Sequence, residues 1–368
     1  MKNSSSRQRD TTVADVAKAA QVSKAQAARA LGNYGAVSDD VRERVLAAAE
    51  ELNYRPNELA RTMNTGKSNT IGVVVGDIEN PHFGLAMRGI SDTAKAAGFD
   101  VILINTGEDH VAEVDAVRVL LEKRVDGLIV APASSAEYEH LRRVHDAGRP
   151  LVLFDRKAPG LDVPVVAADM TLVARESTAY LIESGHRRIA FISTLDIEEP
   201  YRHGMELASS QIAERIEGMN QALLAAGLDP CEELVRLNAG DADSIKAIAR
   251  ELLLMPEPAT AVIASDGLVA LGVVEAIQEL GLRIPQDVSF LMYDDFPWTK
   301  LTTPPLTVIS QPVYDIGASA AEALIRLIRQ PGKAIELPVF QATLKHRGSV
   351  GAPVSERKRK RESAAAAS

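Results

Sequence analysis

The sequence predicts an α/β fold carried behind a small helical unit, and three observations predict it. From Thr70 onward, short continuous apolar runs alternate with helix-length segments, the pattern of parallel sheets covered by helices on both faces. Ahead of them, Thr11–Pro56 holds three closely spaced stretches with apolar residues at helical spacing. The length, 368 residues, exceeds what one ordinary core supports, so two or three domains are expected.

The helical unit comes first. Thr12 with Asp15 three residues on forms a near capping box, and Val13, Val16, Ala17 and Ala20 then share one face. The second helix opens with the capping box Ser23-x-x-Gln26. Its buried face is expected to be Ala27, Ala30 and Leu31, leaving Lys24, Ala25, Ala28 and Arg29 outside. The third starts at Ser38, with Asp39 and Asp40 favourably placed against the helix dipole. Its stripe is Val41, Val45, Ala48, Ala49 and Leu52, and Pro56 ends it. Two small helices joined by a tight turn define a helix-turn-helix, which lays its second helix in the DNA major groove. A helical domain for protein contacts is the competing reading. A further helix at 58–63, opened by Pro56-Asn57, is too short to stand alone and suits a coupling element between two domains.

In the larger part, the runs "TIGVVVGDI", "DVILINTG", "DGLIVAPA", "PLVLFDR", "RRIAFIST", "ATAVIASD" and "DVSFLMYDD" predict buried parallel strands. Helical segments such as "FGLAMRGISDTAKAAG" and "GLVALGVVEAIQELG" lie between them, each closed by Gly. A second cycle of strands begins after "PVVAADM", so two such units are expected. Ligands of doubly wound sheets bind outside the carboxyl ends of the strands. Those ends carry Asp77, Asp155-Arg156, Asp169, Asp266 and Asp294-Asp295. Carboxylates and an Arg suit the neighbouring hydroxyls of a sugar or polyol, although Asp at a strand end also serves simply to cap the next helix.

Composition narrows the function. No apolar run approaches the roughly 18 residues of a membrane span, and "MKNSSSRQRD" lacks a signal-peptide core, so a cytoplasmic protein is expected. The single Cys231 excludes an intrachain disulfide and fits a reducing compartment. The closest histidine pair, His140 and His145, is misaligned on a helix and no H-E-x-x-H occurs, so neither a structural metal nor any other cofactor is expected. Residues 1–67 carry a balance of +3 and "SERKRKRES" another +3, leaving 68–354 at −15. Basic ends allow local nucleic-acid contact, whereas the acidic middle does not. Enzymatic activity is not expected: no G-x-G-x-x-G follows a strand, and "NTGKSNT" has Arg61 where a phosphate-binding loop needs its first Gly. No Ser/His/Asp or Cys/His arrangement has the support of a motif.

The ordered set "VADVAKAAQVS", "VRERVLAAAEELNYRPNELAR", "TIGVVVGDIENPHF", "VDGLIVAP", "GHRRIAFIS" and "VSFLMYDD…PPLTVISQ" resembles the lactose-repressor family of bacterial transcription regulators, from residue 11 to about 350. The resemblance implies a helix-turn-helix headpiece (1–67, with a hinge helix at 57–64) and a periplasmic-binding-protein-like core (68–351). The core would hold two doubly wound parallel-sheet subdomains, one about 69–168 with 313–338 and one about 169–312 with 339–351. A charged, then alanine-rich tail (352–368) is expected to be disordered. The resemblance further implies a homodimer on a near-palindromic double-stranded operator, with a small effector, a sugar, sugar acid or polyol, in the core cleft. A purine-type corepressor is the alternative ligand, and a cytoplasmic sugar-binding protein or enzyme the alternative class.

On matched positions the DNA-contacting set is Thr12, Ser23, Lys24, Ala25, Gln26, Arg29, Asn57, Ala60 and Met63. Met63 stands where an apolar hinge side chain wedges into the minor groove. Gln21 replaces the usual turn Gly and so needs a left-handed backbone, and Gln26-Ala27-Ala28 replaces the common Thr-Val-Ser, shifting base readout toward Lys24 and Arg29. The effector set is Phe83, Asp155, Arg156, Arg215, Asp266, Asp294, Trp298 and Gln311, with Trp298 suited either to stack on a sugar face or to fill the core. Asp266 stands where Asn is frequent. The stretch 194–211 is longer than the family's loop and forms either a cleft flap or a surface insertion. "RKRKR" in the tail would touch DNA phosphates or remain solvated. No leucine heptad run follows the core, so dimers rather than tetramers are expected.

Overall fold

The computed structural model describes residues 11–32, 35–54 and 67–354, in two compact units divided after Asn69. The expected hinge helix with Asn57, Ala60 and Met63, the terminator Pro56 and the basic tail from 355 onward lie outside the described residues.

In the first unit, α1 (Val13–Ala19), α2 (Lys24–Gly32) and α3 (Asp39–Glu51) enclose Val16, Ala17, Ala20, Ala27, Ala30, Val45, Ala48 and Ala49. A core made so largely of alanine lets three short helices approach closely. Both expected capping boxes form. Asp15 N donates to Thr12 Oγ1 while Thr12 N donates to Asp15 Oδ2, and Ser23 and Gln26 exchange the same pair of bonds. Gln21 takes the left-handed turn conformation, at φ 54°. α3 begins at the expected Ser38 N-cap, which makes no side-chain cap bond. One detail differs from expectation. Leu52 lies past the end of α3 and is exposed, its carbonyl accepting from Thr11 Oγ1.

The second unit holds two sheets of matching topology. In the first, β1 (Thr70–Val75), β2 (Asp100–Asn105), β3 (Gly127–Val130), β4 (Leu151–Phe154) and β5 (Val165–Val166) are all parallel, in the order β2-β1-β3-β4-β5. In the second, β7 (Ile189–Ile192), β8 (Val235–Arg236), β9 (Ala261–Ala264), β10 (Ser289–Tyr293) and β11 (Thr307–Ser310) repeat that order as β8-β7-β9-β10-β11, and β13 (Thr343–Lys345) is added antiparallel at the edge. β6 (Ala168–Asp169) and β12 (Phe340–Gln341) form a separate short pair. The strands missed in the sequence are mostly two to four residues long, too short to show a period. β2 departs from the expected buried run: it is an edge strand with no fully buried residue, only half-buried and exposed ones.

Helices cover both faces of each sheet. α4 (Pro81–Ala96) and α11 (Val313–Arg329) lie on one face of the first sheet, and α5 (His110–Glu122) and α6 (Glu139–Asp146) on the other. For the second sheet, α7 (Met170–Glu183) and α8 (Ser210–Ala225) cover one face, α9 (Ala242–Leu254) and α10 (Gly267–Glu279) the other. α4 and α11 cross at two glycines. A Cβ on Gly89 would sit 2.1 Å from Tyr314 O, and one on Gly317 2.1 Å from Ala86 O, so only hydrogen fits at either position.

Candidate functional site

In the helical unit, Thr12, Ser23, Lys24, Ala25 and Gln26 are exposed, the last four at the N-terminal end of α2, while Ala28 and Arg29 are half-buried. The aliphatic stem of Arg29 runs against Gly35. The cap commits Gln26 Oε1 to Ser23, and the charge among the expected contact residues of α2 is carried by Lys24 and Arg29. A helix start carrying free amides and a lysine is attractive to phosphate, and its first side chains are those that reach base edges.

In the larger unit, the fourth strand of each sheet ends in an aspartate with a left-handed backbone: Asp155 after β4 at φ 64° and Asp294 after β10 at φ 74°. Each such position costs on the order of 1–3 kcal/mol and concentrates at ligand sites. The two carboxylates come from different sheets yet meet one imidazole. His82, from the first turn of α4, places Nε2 3.0 Å from Asp155 Oδ1 and Nδ1 3.5 Å from Asp294 Oδ1. Burial alone would push the His82 pKa down, but the flanking carboxylates outweigh it and hold the ring protonated, at about 10. Burial likewise works to raise Asp155, and the His82, Arg156 and Arg215 charges reverse it, down to about 2.

Other side chains close around this bridge. Gln311 Nε2 donates to Asp294 Oδ1 at 3.0 Å. Arg156 lies 5.8 Å over the Phe83 ring, donates to Pro132 O at 3.2 Å and pairs with Glu108, which keeps the guanidinium firmly charged despite its burial. Arg215, from the first turns of α8, stacks 4.0 Å over Tyr293 and donates to Ser265 O at 2.7 Å. Gln211, four residues earlier on that helix, donates to Asp155 O. Four buried polar atoms in this cluster have no hydrogen-bond partner among the described residues: Gln211 Oε1, Gln311 Oε1, Arg156 Nε and Arg215 Nε.

Six of the eight residues expected to bind effector therefore converge: Phe83, Asp155, Arg156, Arg215, Asp294 and Gln311. Asp266 sits at the margin as the N-cap of α10, accepting from Leu268 N and Val269 N, with its pKa raised by burial. Trp298 is half-buried and packs against the cluster of Phe296, Val269 and Phe290. Asp169 caps α7, Asp77 accepts from Glu79 N, and Asp295 is bound by Lys345 and Arg347. An open groove lined by Leu172, Tyr180, Val339 and His346 lies elsewhere and touches none of the bridge residues. Sequence reasoning passed over His82, Gln211 and Tyr293. His82 stood inside the "NPHF" stretch beside Phe83, and Gln211 shares a helix face with Arg215. The long 194–211 segment is tied across the cleft, where Ser135 N donates to Ala208 O at 2.6 Å and Ser135 Oγ to Leu207 O at 3.2 Å.

A helix-turn-helix unit and a two-sheet ligand cleft in one chain define a ligand-responsive DNA-binding transcription regulator. Residues 12–57 match the bacterial regulatory proteins of the lacI family, and residues 68–347 the periplasmic binding proteins and sugar binding domain of the LacI family. The chain belongs to the lacI family. It is 32% identical to catabolite control protein A of Priestia megaterium over 87% of this chain and 93% of that protein. The structure of the lac repressor dimer bound to operator and the anti-inducer ONPF superposes with a TM-score of 0.79 at 26% identity, covering 94% of this chain and all of that one. The CelR–cellobiose complex superposes at 0.65 and 28% identity, covering 92% and 99%. Among the described residues no helix is long and apolar enough to cross a membrane.

Proposed function

We propose that this chain is a dimeric repressor that holds a near-palindromic operator through α2, and that a small polyhydroxylated molecule bound between Asp155 and Asp294 sets its operator affinity. The relatives support the dimer and the operator, since the lac repressor structure is a dimer on operator DNA, and the CelR complex holds a disaccharide. One observation carries the effector class. The charges of the cleft already balance one another, the His82, Arg156 and Arg215 cations against the Asp155, Asp294 and Glu108 carboxylates, while the atoms left over are two amide oxygens and two N–H donors. Hydroxyl groups both donate and accept, so a sugar or polyol satisfies this set without adding a charge to a buried site.

The proposed contacts are Phe83, Asp155, Arg156, Arg215, Asp294 and Gln311 for effector, with His82 and Gln211 added. Lys24, Ala25, Gln26 and Arg29 would face bases, and Thr12 and Ser23 phosphates. The resemblance adds Asn57, Ala60 and Met63. A ligand that prefers one closure of the two sheets shifts the population of dimer geometries, and operator affinity follows by linkage. A thermal-shift screen of neutral sugars, sugar acids and polyols, repeated with operator duplex in a gel-shift assay, tests the reading. A hit at a hundred times its Kd stabilises the protein by about 2.7 kcal/mol. Stabilisation by purines alone would reassign the ligand, and no preference for any duplex over random DNA would remove the repressor.

A further inference from the structure

The spacing of histidines along the chain speaks against a metal centre, yet folding gathers one set of donors behind the cleft. His110 and Glu113 occupy the first turn of α5, three residues apart and therefore on one side of the helix. His140 comes from the first turn of α6. One donor atom from each of the three lies within 4.8 Å of the others. We propose that His110, Glu113 and His140 bind one divalent first-row transition-metal cation of the zinc class.

The geometry supports an ion better than a plain hydrogen-bonded pair. Around tetrahedral zinc, with bonds of about 2.0–2.2 Å, neighbouring ligand atoms lie about 3.4 Å apart. His140 Nε2 stands 2.7 Å from Glu113 Oε1, so a small opening of that pair admits the ion. Glu113 is 1% exposed, and a buried carboxylate calls for a compensating cation. Its second oxygen accepts from Ala133 N at 2.6 Å, the kind of outer bond that fixes a metal-binding carboxylate. The two imidazoles pack edge to face with centroids 5.2 Å apart, and His110 Nδ1 is buried with no hydrogen-bond partner, a lone pair the ion would satisfy. Two nitrogens and one carboxylate oxygen select zinc-like ions over magnesium or calcium, which take oxygen donors. Three protein ligands leave the fourth position to water. The site adjoins the cleft through a single peptide link: Ala133 N serves Glu113, and Pro132 O receives Arg156.

The test uses the full chain, stripped with chelator and titrated with Zn2+ by calorimetry, with Co2+ absorption as a geometric probe. One ion per chain at micromolar affinity or tighter, a higher Tm and the visible bands of four-coordinate Co2+ are expected. His110→Ala, at a half-buried position that tolerates it, should weaken binding by more than about 100-fold, since loss of an outer partner alone costs about 10–100-fold. His145→Ala, exposed on the same helix as His140 and outside the cluster, should bind as the parent does. Absence of stoichiometric uptake would overturn the site. Unchanged affinity in both His110→Ala and His140→Ala would do so equally, placing any bound ion elsewhere.

Discussion

Replacing His82 by Gln removes the one cation shared by Asp155 and Asp294, and its cost can be worked from the cleft. The ring is buried, 3.0 Å from one carboxylate and 3.5 Å from the other, and holds its proton to about pH 10. An unfolded histidine releases it near 6.5. The folded state therefore binds the proton more tightly, and the stabilisation is full below about pH 6.5 and lost as pH rises through 10. At pH 7 the difference amounts to roughly 4 kcal/mol. That agrees with the about 3–5 kcal/mol lost when one partner of a buried ion pair is removed. The depressed Asp155 pKa draws on the same contact, with Arg156 and Arg215 adding to it, so the His82 share of its loss between about pH 3.8 and 2 is not an additional contribution. Urea unfolding followed by Trp298, the single tryptophan, gives the measurement, because that residue is half-buried against the core of the second sheet. The gap between parent and His82→Gln should be about 4 kcal/mol at pH 7 and shrink by about 1.4 kcal/mol per pH unit up to pH 9. A gap below about 1 kcal/mol at pH 7, or one that does not change with pH, would refute the charged bridge.

Three further outcomes follow from particular contacts. Gly89→Ala should destabilise the protein by at least about 1–3 kcal/mol in thermal unfolding, because its Cβ meets the Tyr314 carbonyl and only backbone movement relieves it. Arg215→Ala should lower effector affinity by about 1–3 kcal/mol in calorimetry while leaving operator affinity within twofold, and equal affinity would move the ligand away from α8. Ser23→Ala should cost the helical unit about 1 kcal/mol through its lost cap, whereas Lys24→Ala should leave folding intact and reduce both operator affinity and its salt dependence. Fluorescence anisotropy at two salt concentrations separates the last pair.

The sequence alone determined the helical unit and the alternating core, because both rest on local periodicity and caps. Thr12–Asp15 and Ser23–Gln26 announce helix starts within four residues, and Gln21 stands where a turn needs a left-handed residue. The seven apolar runs are likewise local, and each became a strand. The resemblance supplied most of the cleft, because strand ends are fixed by those same runs. What only the tertiary structure decided depends on partners far apart in the chain. His82 meets Asp155 and Asp294 from residues 73 and 212 positions away, and no periodicity encodes that meeting. Trp298 packs against the core cluster under α9 and α10, and Asp266 spends Oδ1 on the α10 cap and Oδ2 on Ser265 Oγ. His110, Glu113 and His140 show the same limit most sharply. Two of them stand three apart, but the third reaches them only because β3 and its turn bring α6 alongside α5. Local sequence sets dihedrals and caps, whereas packing of the sheets brings distant donors and charges within bonding distance.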